Sequence, residues 1–235
     1  MKTCISTTSQ TQQISQAFLL YRDFVTIHDV EVDNGVPVIK PGVLATKEAI
    51  SCGLRALMPP EEAKVELLPA ELLAKGVDYM AWWIKPGKRH VRFDAKKLGK
   101  RGAVVNLPGL VMIVAPSGWY VFAVAGRSRP TATTKIYRSP FFNVWDQGKI
   151  CVGSVTVPDA EKFFDTAAWE AAFFDSYFAH PNVDKLVKDE DAYDFWADML
   201  DGKYPKFPTK KLYATKHSLD DVFKHVVLSQ GGQYD

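Results

Sequence analysis

The chain has 235 residues, of which 47% are hydrophobic and 24% are charged. This composition is typical of a globular protein and excludes a disordered or low-complexity chain, because enough apolar surface is available to offset the entropy of folding. The formal net charge is only +2, so the overall charge favours neither nucleic acid nor a membrane as a partner. Three scattered cysteines are too few for a disulfide framework or a four-ligand zinc site: Cys4, Cys52 and Cys151.

The N-terminal tract is polar and rich in Ser, Thr and Gln. It lacks the apolar core of a signal peptide, so we expect a protein of the reducing cytoplasm. Residues 102–126 carry no charge and are long enough to span a bilayer. However, Pro108-Gly109 and Pro116-Ser117-Gly118 divide them into two strand-length runs, 110–115 and 119–125. We therefore expect two buried strands and no membrane segment.

The first elements in chain order predict a flexible tail followed by a β-hairpin. The tail covers residues 1–15. Residues 18–32 are rich in Val, Ile, Phe and Tyr, and Asp33-Asn34-Gly35 separates them from the short apolar run 36–39. Two such runs around an Asn-Gly turn are typical of a hairpin.

Two short helices are predicted after the hairpin. Thr46 has the side chain of an N-cap residue, and its helix would run to Leu57 before Pro59-Pro60 stops it. A second helix is predicted over 69–75, because Gly76 follows in the C-terminal capping position.

Four strands are predicted next, in the order of an antiparallel meander. Residues 79–84 and 89–94 flank Lys85-Pro86-Gly87-Lys88, where Pro followed by Gly suits a type II turn. The two uncharged runs, 110–115 and 119–125, supply the third and fourth strands.

The rest of the chain is predicted to be mainly helical. Capping residues and amphipathic spacing indicate three helices: one from Asp165 or Thr166 to about Phe178, one over 192–200, and one from Ser218 to about Leu228. His180-Pro181-Asn182 is interpreted as the end of the first of them. Strands followed by helices indicate an α+β fold.

The long segment from Pro140 to Gly153, before these helices, carries the candidate chemistry. It holds a Gly-containing turn, Asn143, and the lone Cys151 among β-branched residues. Long structured loops beside a sheet often carry functional residues. Local backbone amides, or the cationic Lys149, would favour the thiolate form of Cys151.

The spacing of Asn143 and Cys151, with Gly148-Lys149-Ile150-Cys151 inside it, resembles the active-site stretch of ubiquitin-conjugating enzymes. In that family the catalytic cysteine lies eight residues after the Asn of an HPN tripeptide. The family also has an N-terminal helix, a four-strand meander, the cysteine loop and then helices, which is the order predicted above. Pro181-Asn182 matches a Pro-Asn pair that closes the family's first helix after the cysteine.

The whole chain, including the hairpin and the run 167–174, more closely resembles the bacterial PRTRC system protein B family, which is classed with prokaryotic ubiquitin-conjugating-like proteins. The resemblance implies a ubiquitin-conjugating-like fold. It implies a ubiquitin-like protein, a ThiF-like activating protein and a JAB-type protease as partners, and no cofactor, since ATP is used upstream. Within one compact unit it implies four regions: a tail over 1–15, a hairpin-and-helix extension over 16–68, a conjugating-like core over 69–205 and a C-terminal helical extension over 206–235.

The resemblance implies that Cys151 accepts the ubiquitin-like protein as a thioester and that Asn143 supports transfer by stabilising an oxyanion. Each residue has a structural alternative. Cys151 would be a buried core thiol, and Asn143 would bond the loop backbone as Asn often does in turns. The residues expected to support the loop are Phe141, Phe142, Gly148, Lys149 and Ile150.

Two departures from the family pattern favour a second hypothesis, a non-catalytic scaffold of the same fold that binds a ubiquitin-like protein. Phe141-Phe142 replaces the His-Pro of the motif, so aromatic packing must hold the loop in place of an imidazole hydrogen bond. Gly153 stands where many members carry an acidic residue that helps to receive the incoming lysine. This leaves thioester formation expected and puts efficient aminolysis in doubt.

A third hypothesis concerns a basic strip over residues 85–101. Eight Lys and Arg side chains fall within it, shortly after Trp82-Trp83, and such a strip can contact phosphates or equally dock an acidic partner protein. A charge run is more commonly a solvated face around a turn, so a nucleic-acid partner is not expected. No metal site is predicted, because the five histidines have no ligand spacing: His28, His90, His180, His217 and His225.

Overall fold

The computed structural model describes residues 14–57, 67–153 and 155–228. The chain divides into two compact units, an N-terminal unit over Met1–Glu66 and a C-terminal unit over Leu67–Asp235. Most of the predicted tail, and the Pro59-Pro60 helix stop, lie outside the described residues. The region boundaries at 68/69 and 205/206 stay predictions.

The N-terminal unit contains a small antiparallel sheet and one helix. Its elements are β1 (Gln16–Leu20), β2 (Val25–Asp33), β3 (Val36–Ile39), β4 (Val43–Leu44) and α1 (Lys47–Leu57). β2 pairs with the three other strands, and β2–β3 is the predicted hairpin, with Asn34 and Gly35 at positive φ in its turn. Thr46 caps α1, because its hydroxyl accepts the Ala49 amide at 3.2 Å.

The C-terminal unit is built on two sheets. Its strands are β5 (Leu72–Lys75), β6 (Met80–Ile84), β7 (Gly87–Ala95), β8 (Gly99–Leu107), β9 (Gly109–Ala115), β10 (Gly118–Val124), β11 (Lys135–Arg138), β12 (Tyr177–Phe178) and β13 (Ala214–Ser218). Six form a sheet in the order β13-β11-β10-β9-β6-β5, and three form a sheet in the order β12-β7-β8. Antiparallel sheets combined with helices confirm the α+β class.

The predicted four-strand meander is wrong, because β6 pairs with β9 and not with β7. All residues of β6 and β9 are buried, and strands that are apolar on both faces belong in the middle of a covered sheet. β7 instead alternates between buried and more exposed positions and pairs along its whole length with β8. β8 was not among the predicted strands, because its first residues have little strand propensity: Gly99-Lys100-Arg101-Gly102.

Three further segments differ from their predictions, because sheet pairing overrides local helix signals. The segment predicted as a helix over 69–75 contains β5, which pairs with β6. The helix predicted to reach Phe178 ends at Phe174, since Tyr177 and Phe178 pair with β7. The C-terminal segment is not wholly helical, because β13 forms an edge strand against β11.

The longer helices of the C-terminal unit have clear N-terminal caps. They are α2 (Thr166–Phe174), α3 (Ala192–Leu200) and α4 (Leu219–Phe223), and a π-helical turn over Lys224–Leu228 follows α4. The side chains of Asp165, Asp191 and Ser218 accept amide protons of the respective first turns. α3 has the predicted bounds. Within the part of the chain that is described, no helix combines the length and apolar character that a membrane crossing requires.

Successive residues of the six-stranded sheet face two separate cores. Trp82 shares one core with Trp196 of α3, whereas the neighbouring Trp83 shares the other with Phe122 and with Leu219 of α4. Because side chains alternate along a strand, α3 and α4 cover opposite faces of this sheet. The central strands β6, β9 and β10 are therefore protected from water on both faces.

Glu170 is a partly buried carboxylate on α2. Trp82 Nε1 donates to Glu170 Oε1 at 3.2 Å, and an Arg89 guanidinium nitrogen lies 3.7 Å from Oε2. Burial raises the pKa of Glu170 above its ordinary value of 4.5, and the Arg89 charge and the Trp82 hydrogen bond only partly offset this effect. The folded protein therefore holds a proton at Glu170 more readily than the unfolded chain does.

This pKa shift predicts a pH-dependent difference between the wild type and Glu170→Gln. A raised folded pKa contributes stability at pH values below the unfolded pKa, and that contribution disappears as the pH rises through the folded pKa. We expect the wild type to lose stability relative to Glu170→Gln as the pH rises above about 4.5, the ordinary pKa of this carboxyl group, measured by urea unfolding. Glu161→Gln, at an exposed position, is the control. A wild-type-minus-variant difference that stays constant with pH would contradict the shift.

Candidate active site

The segment over 139–151, here called the cysteine loop, is anchored at its start by buried aromatic rings. Phe141 and Phe142 are both 0% exposed. The Phe141 ring centroid lies 5.4 Å from that of Trp196, and Trp196 Nε1 donates to the Pro140 carbonyl at 2.8 Å. Aromatic packing and one buried hydrogen bond thus hold the chain where the related motif has His-Pro.

A tight turn at 145–148 ties the second half of the cysteine loop to β10. The Gly148 carbonyl accepts the Val121 amide at 2.9 Å, and the Ile150 amide donates to the Trp119 carbonyl at 2.7 Å. The residue before Cys151 is therefore hydrogen-bonded to a central strand. This attaches the chain next to Cys151 to the sheet.

Asn143 joins the cysteine loop to the segment after α2. Its φ is 60°, in the left-handed region that Asn tolerates. Its Oδ1 accepts the amides of Ala179 and His180 at 3.2 and 3.4 Å, and its Nδ2 donates to the Tyr177 carbonyl at 3.1 Å. Its amide donates to the His180 carbonyl at 3.0 Å, and its carbonyl accepts the Cys151 amide at 2.7 Å. Asn143 thus links the cysteine loop to the segment after α2 through its side chain and its backbone. This is the structural role that the sequence allows as the alternative to oxyanion stabilisation.

Cys151 is half-buried and lies in the wall of a groove of about 470 Å³. The cysteine loop, the residues after it at 152–153 and 155–156, the end of α2 and the segment after α2 form this groove. Most of the lining side chains are small or apolar; the titratable ones besides Cys151 are Asp175, Tyr177 and His180. Within the described ranges, no group of three or more His, Cys, Asp and Glu side chains could hold a metal ion.

Comparison with protein families identifies the family of the chain. The family model of prokaryotic E2 family D matches residues 53–215, more than half of the chain. The chain belongs to prokaryotic E2 family D. This confirms the predicted prokaryotic E2-like membership and is consistent with a PRTRC-type protein. A search of curated proteins found no match to the chain, and neither did a search of solved structures.

Membership in prokaryotic E2 family D indicates a ubiquitin-conjugating-like role. In general terms it implies interaction with a ubiquitin-like protein and with an activating enzyme.

The side chain of Lys149 points toward the turn between β9 and β10. Its ammonium donates to the Ser117 carbonyl at 2.9 Å, in the turn between β9 and β10. This contact helps to attach the cysteine loop to the sheet. The hypothesis that Lys149 favours the thiolate of Cys151 stays a prediction.

His180 is the residue of the groove that sequence reasoning missed. The sequence interpretation of His180-Pro181-Asn182 was only a helix end, because the tripeptide follows the cysteine in the chain. The structure brings His180 into the groove that Cys151 also lines, through the hydrogen bonds to Asn143. The available signal was the tripeptide itself, which has the letters of the HPN motif of ubiquitin-conjugating enzymes at another place in the chain.

The basic strip lies largely on β7 and β8, where neighbouring elements supply partners for its cations. Three lysines lie over aromatic rings: Lys85 over Trp83, Lys97 over Tyr193 and Lys100 over Tyr177. Four cations face carboxylates in the pairs Lys85–Glu71, Arg89–Glu170, Arg92–Asp175 and Arg101–Asp201. These contacts attach the β7–β8 hairpin to its surroundings, which does not favour the nucleic-acid hypothesis.

Proposed function

We propose that the chain accepts a ubiquitin-like protein on Cys151 as a thioester, delivered by a ThiF-like activating protein. One observation carries this proposal: Cys151 lies in the wall of a groove while its amide is hydrogen-bonded to Asn143, eight residues earlier. Membership in prokaryotic E2 family D supports it. We further infer that residues 69–205 act as the conjugating-like core, although their strands do not form the predicted meander.

The reaction is a thioester exchange. The Cys151 sulfur attacks the carbonyl carbon of the thioester on the activating protein, a new S–C bond forms, and the original S–C bond breaks. The departing sulfur of the activating protein takes the electron pair, and the proton of the Cys151 thiol passes to it. Small neighbours such as Gly153, Ala172 and Ala179 leave room beside the sulfur for an extended acyl chain.

We assign Asn143 a positioning role in this exchange. Its carboxamide is occupied by the backbone of the segment after α2, and its own backbone holds Cys151 and His180. The hydrogen bonds of its Nδ2 and Oδ1 to the backbone at 177–180 set the orientation of the carboxamide, and the Asn143 carbonyl holds the Cys151 amide. A nucleophile that is held in place in this way loses less entropy when it attacks.

The test of this function is a charging reaction. The chain is incubated with ATP, the ThiF-like activating protein and the ubiquitin-like protein of its own locus, then analysed on a non-reducing gel. We expect a thiol-sensitive adduct with the wild type and with Cys52→Ala, whose cysteine is exposed on α1. Cys151→Ala should form no adduct, and Cys151→Ser should form a thiol-resistant ester.

A non-catalytic scaffold that binds the ubiquitin-like protein is the second candidate. It is favoured by the engaged carboxamide of Asn143 and by Gly153, which offers no side chain to an incoming amine. No adduct on the wild type, with the activating protein itself shown to be charged, would contradict the carrier function. Binding of the ubiquitin-like protein without an adduct would then establish the scaffold.

A further inference from the structure

The groove beside Cys151 contains three other side chains that can exchange a proton: Asp175, Tyr177 and His180. The other described side chains of its lining are apolar or carry a hydroxyl or carboxamide group. Transfer of an acyl group from a thioester to an amine releases a proton, so a proton acceptor at this place would have a direct use.

Two of these three side chains already face cations of the basic strip. An Arg92 guanidinium nitrogen lies 3.9 Å from Asp175 Oδ1, and another donates to the Asp175 carbonyl at 3.4 Å. The Lys100 ammonium lies 5.0 Å from the centre of the Tyr177 ring. Among the three chemical groups, only an imidazole ordinarily changes charge near neutral pH. These facts favour His180 as the acceptor.

The backbone of His180 and the backbone of Cys151 are both hydrogen-bonded to Asn143. Its amide donates to Asn143 Oδ1 at 3.4 Å, and its carbonyl accepts the Asn143 amide at 3.0 Å. The Asn143 carbonyl accepts the Cys151 amide at 2.7 Å. A single residue therefore connects the two, while the exposed His180 side chain remains accessible from solvent, where an amine arrives.

We propose that His180 accepts the proton of the amine that discharges the thioester on Cys151; this inference rests on the proposed function. The amine nitrogen attacks the thioester carbonyl carbon, a C–N bond forms and the C–S bond breaks. The electron pair of that bond leaves with the Cys151 sulfur, and the proton from the nitrogen goes to the His180 imidazole. Since Gly153 has no side chain, the proton acceptor comes from the segment after α2.

The experiment measures charging and discharge separately. The wild type, His180→Ala and His180→Gln are charged, the ATP is removed, and loss of the thioester is followed after addition of free lysine. We expect normal charging of both variants and discharge slowed by on the order of 10²-fold. His217→Ala, a histidine on β13 that does not line this groove, should discharge like the wild type.

Chemical rescue separates proton transfer from a structural effect. Imidazole added to the solution should accelerate His180→Ala more than the wild type, because the added base can take the proton that the missing side chain would accept. Normally charged variants with wild-type discharge, or a His180→Ala variant that added imidazole does not accelerate, would overturn the inference alone. A wild type that never becomes charged would overturn the proposed function and the inference together.

Discussion

Gly148→Ala is expected to lower the free energy of unfolding by about 3 kcal/mol, because two penalties combine at this position. Gly148 has a φ of +81°, where an L side chain is strained by about 1–2 kcal/mol. A Cβ there would also lie 2.4 Å from the Phe122 ring. That ring is only 5% exposed, so it cannot move aside without disturbing the core, at a cost of about 1–3 kcal/mol.

Gly153→Ala is the matched control for this substitution. Gly153 also has a positive φ, +53°, but a Cβ there would meet nothing within 4 Å. Gly153→Ala should lower the free energy of unfolding only by the backbone strain, about 1 kcal/mol. Urea unfolding followed by tryptophan fluorescence measures both variants, since all six tryptophans lie in the C-terminal unit. Equal losses for the two variants would show that the contact with Phe122 contributes nothing.

Phe141→Ala is expected to cost about 4 kcal/mol of stability and to weaken charging of Cys151. The Phe141 ring is fully buried and packs against Phe173, Phe178 and Trp196 at centroid distances of 5.2, 5.1 and 5.4 Å. Its removal leaves a cavity where the cysteine loop begins, so both core packing and loop position are affected. Urea unfolding and the charging reaction measure the two effects separately.

Two further variants sharpen this prediction. Phe164→Ala removes an aromatic ring that is 42% exposed, and we expect a loss below about 1 kcal/mol. Phe141→Leu keeps part of the buried volume and should lie between the alanine variant and the wild type. A loss at Phe141→Ala no larger than that at Phe164→Ala would disprove the anchoring role of the ring.

Local signals predicted the elements whose formation depends on neighbouring residues. The Asn34-Gly35 turn, the Thr46 cap and the bounds of α3 all depend on interactions within a few residues, such as a hydrogen bond to a first-turn amide or amphipathic spacing. The same holds for the loop that carries Cys151, which stood out by its length and composition.

Sheet pairing was decided by distant parts of the chain. β6 and β7 are separated by a short turn, yet β6 pairs with β9 because both are buried on each face. Segment 69–75 has local features of a helix, but Leu72–Lys75 completes the sheet beside β6. In both places the free energy of pairing and burial exceeds the local preference.

The sequence by itself determined the α+β class, the position of the cysteine loop and the Asn143–Cys151 spacing, since each of these follows from composition or from neighbouring residues. Only the tertiary structure decided which strands are neighbours, how Asn143 is engaged, and that His180 stands in the groove with Cys151. His180 follows Cys151 by 29 positions (180 − 151). The tripeptide at 180–182 marked the residue but not its place, because the hydrogen bonds between His180 and Asn143 form only when the segment after α2 returns to the cysteine loop.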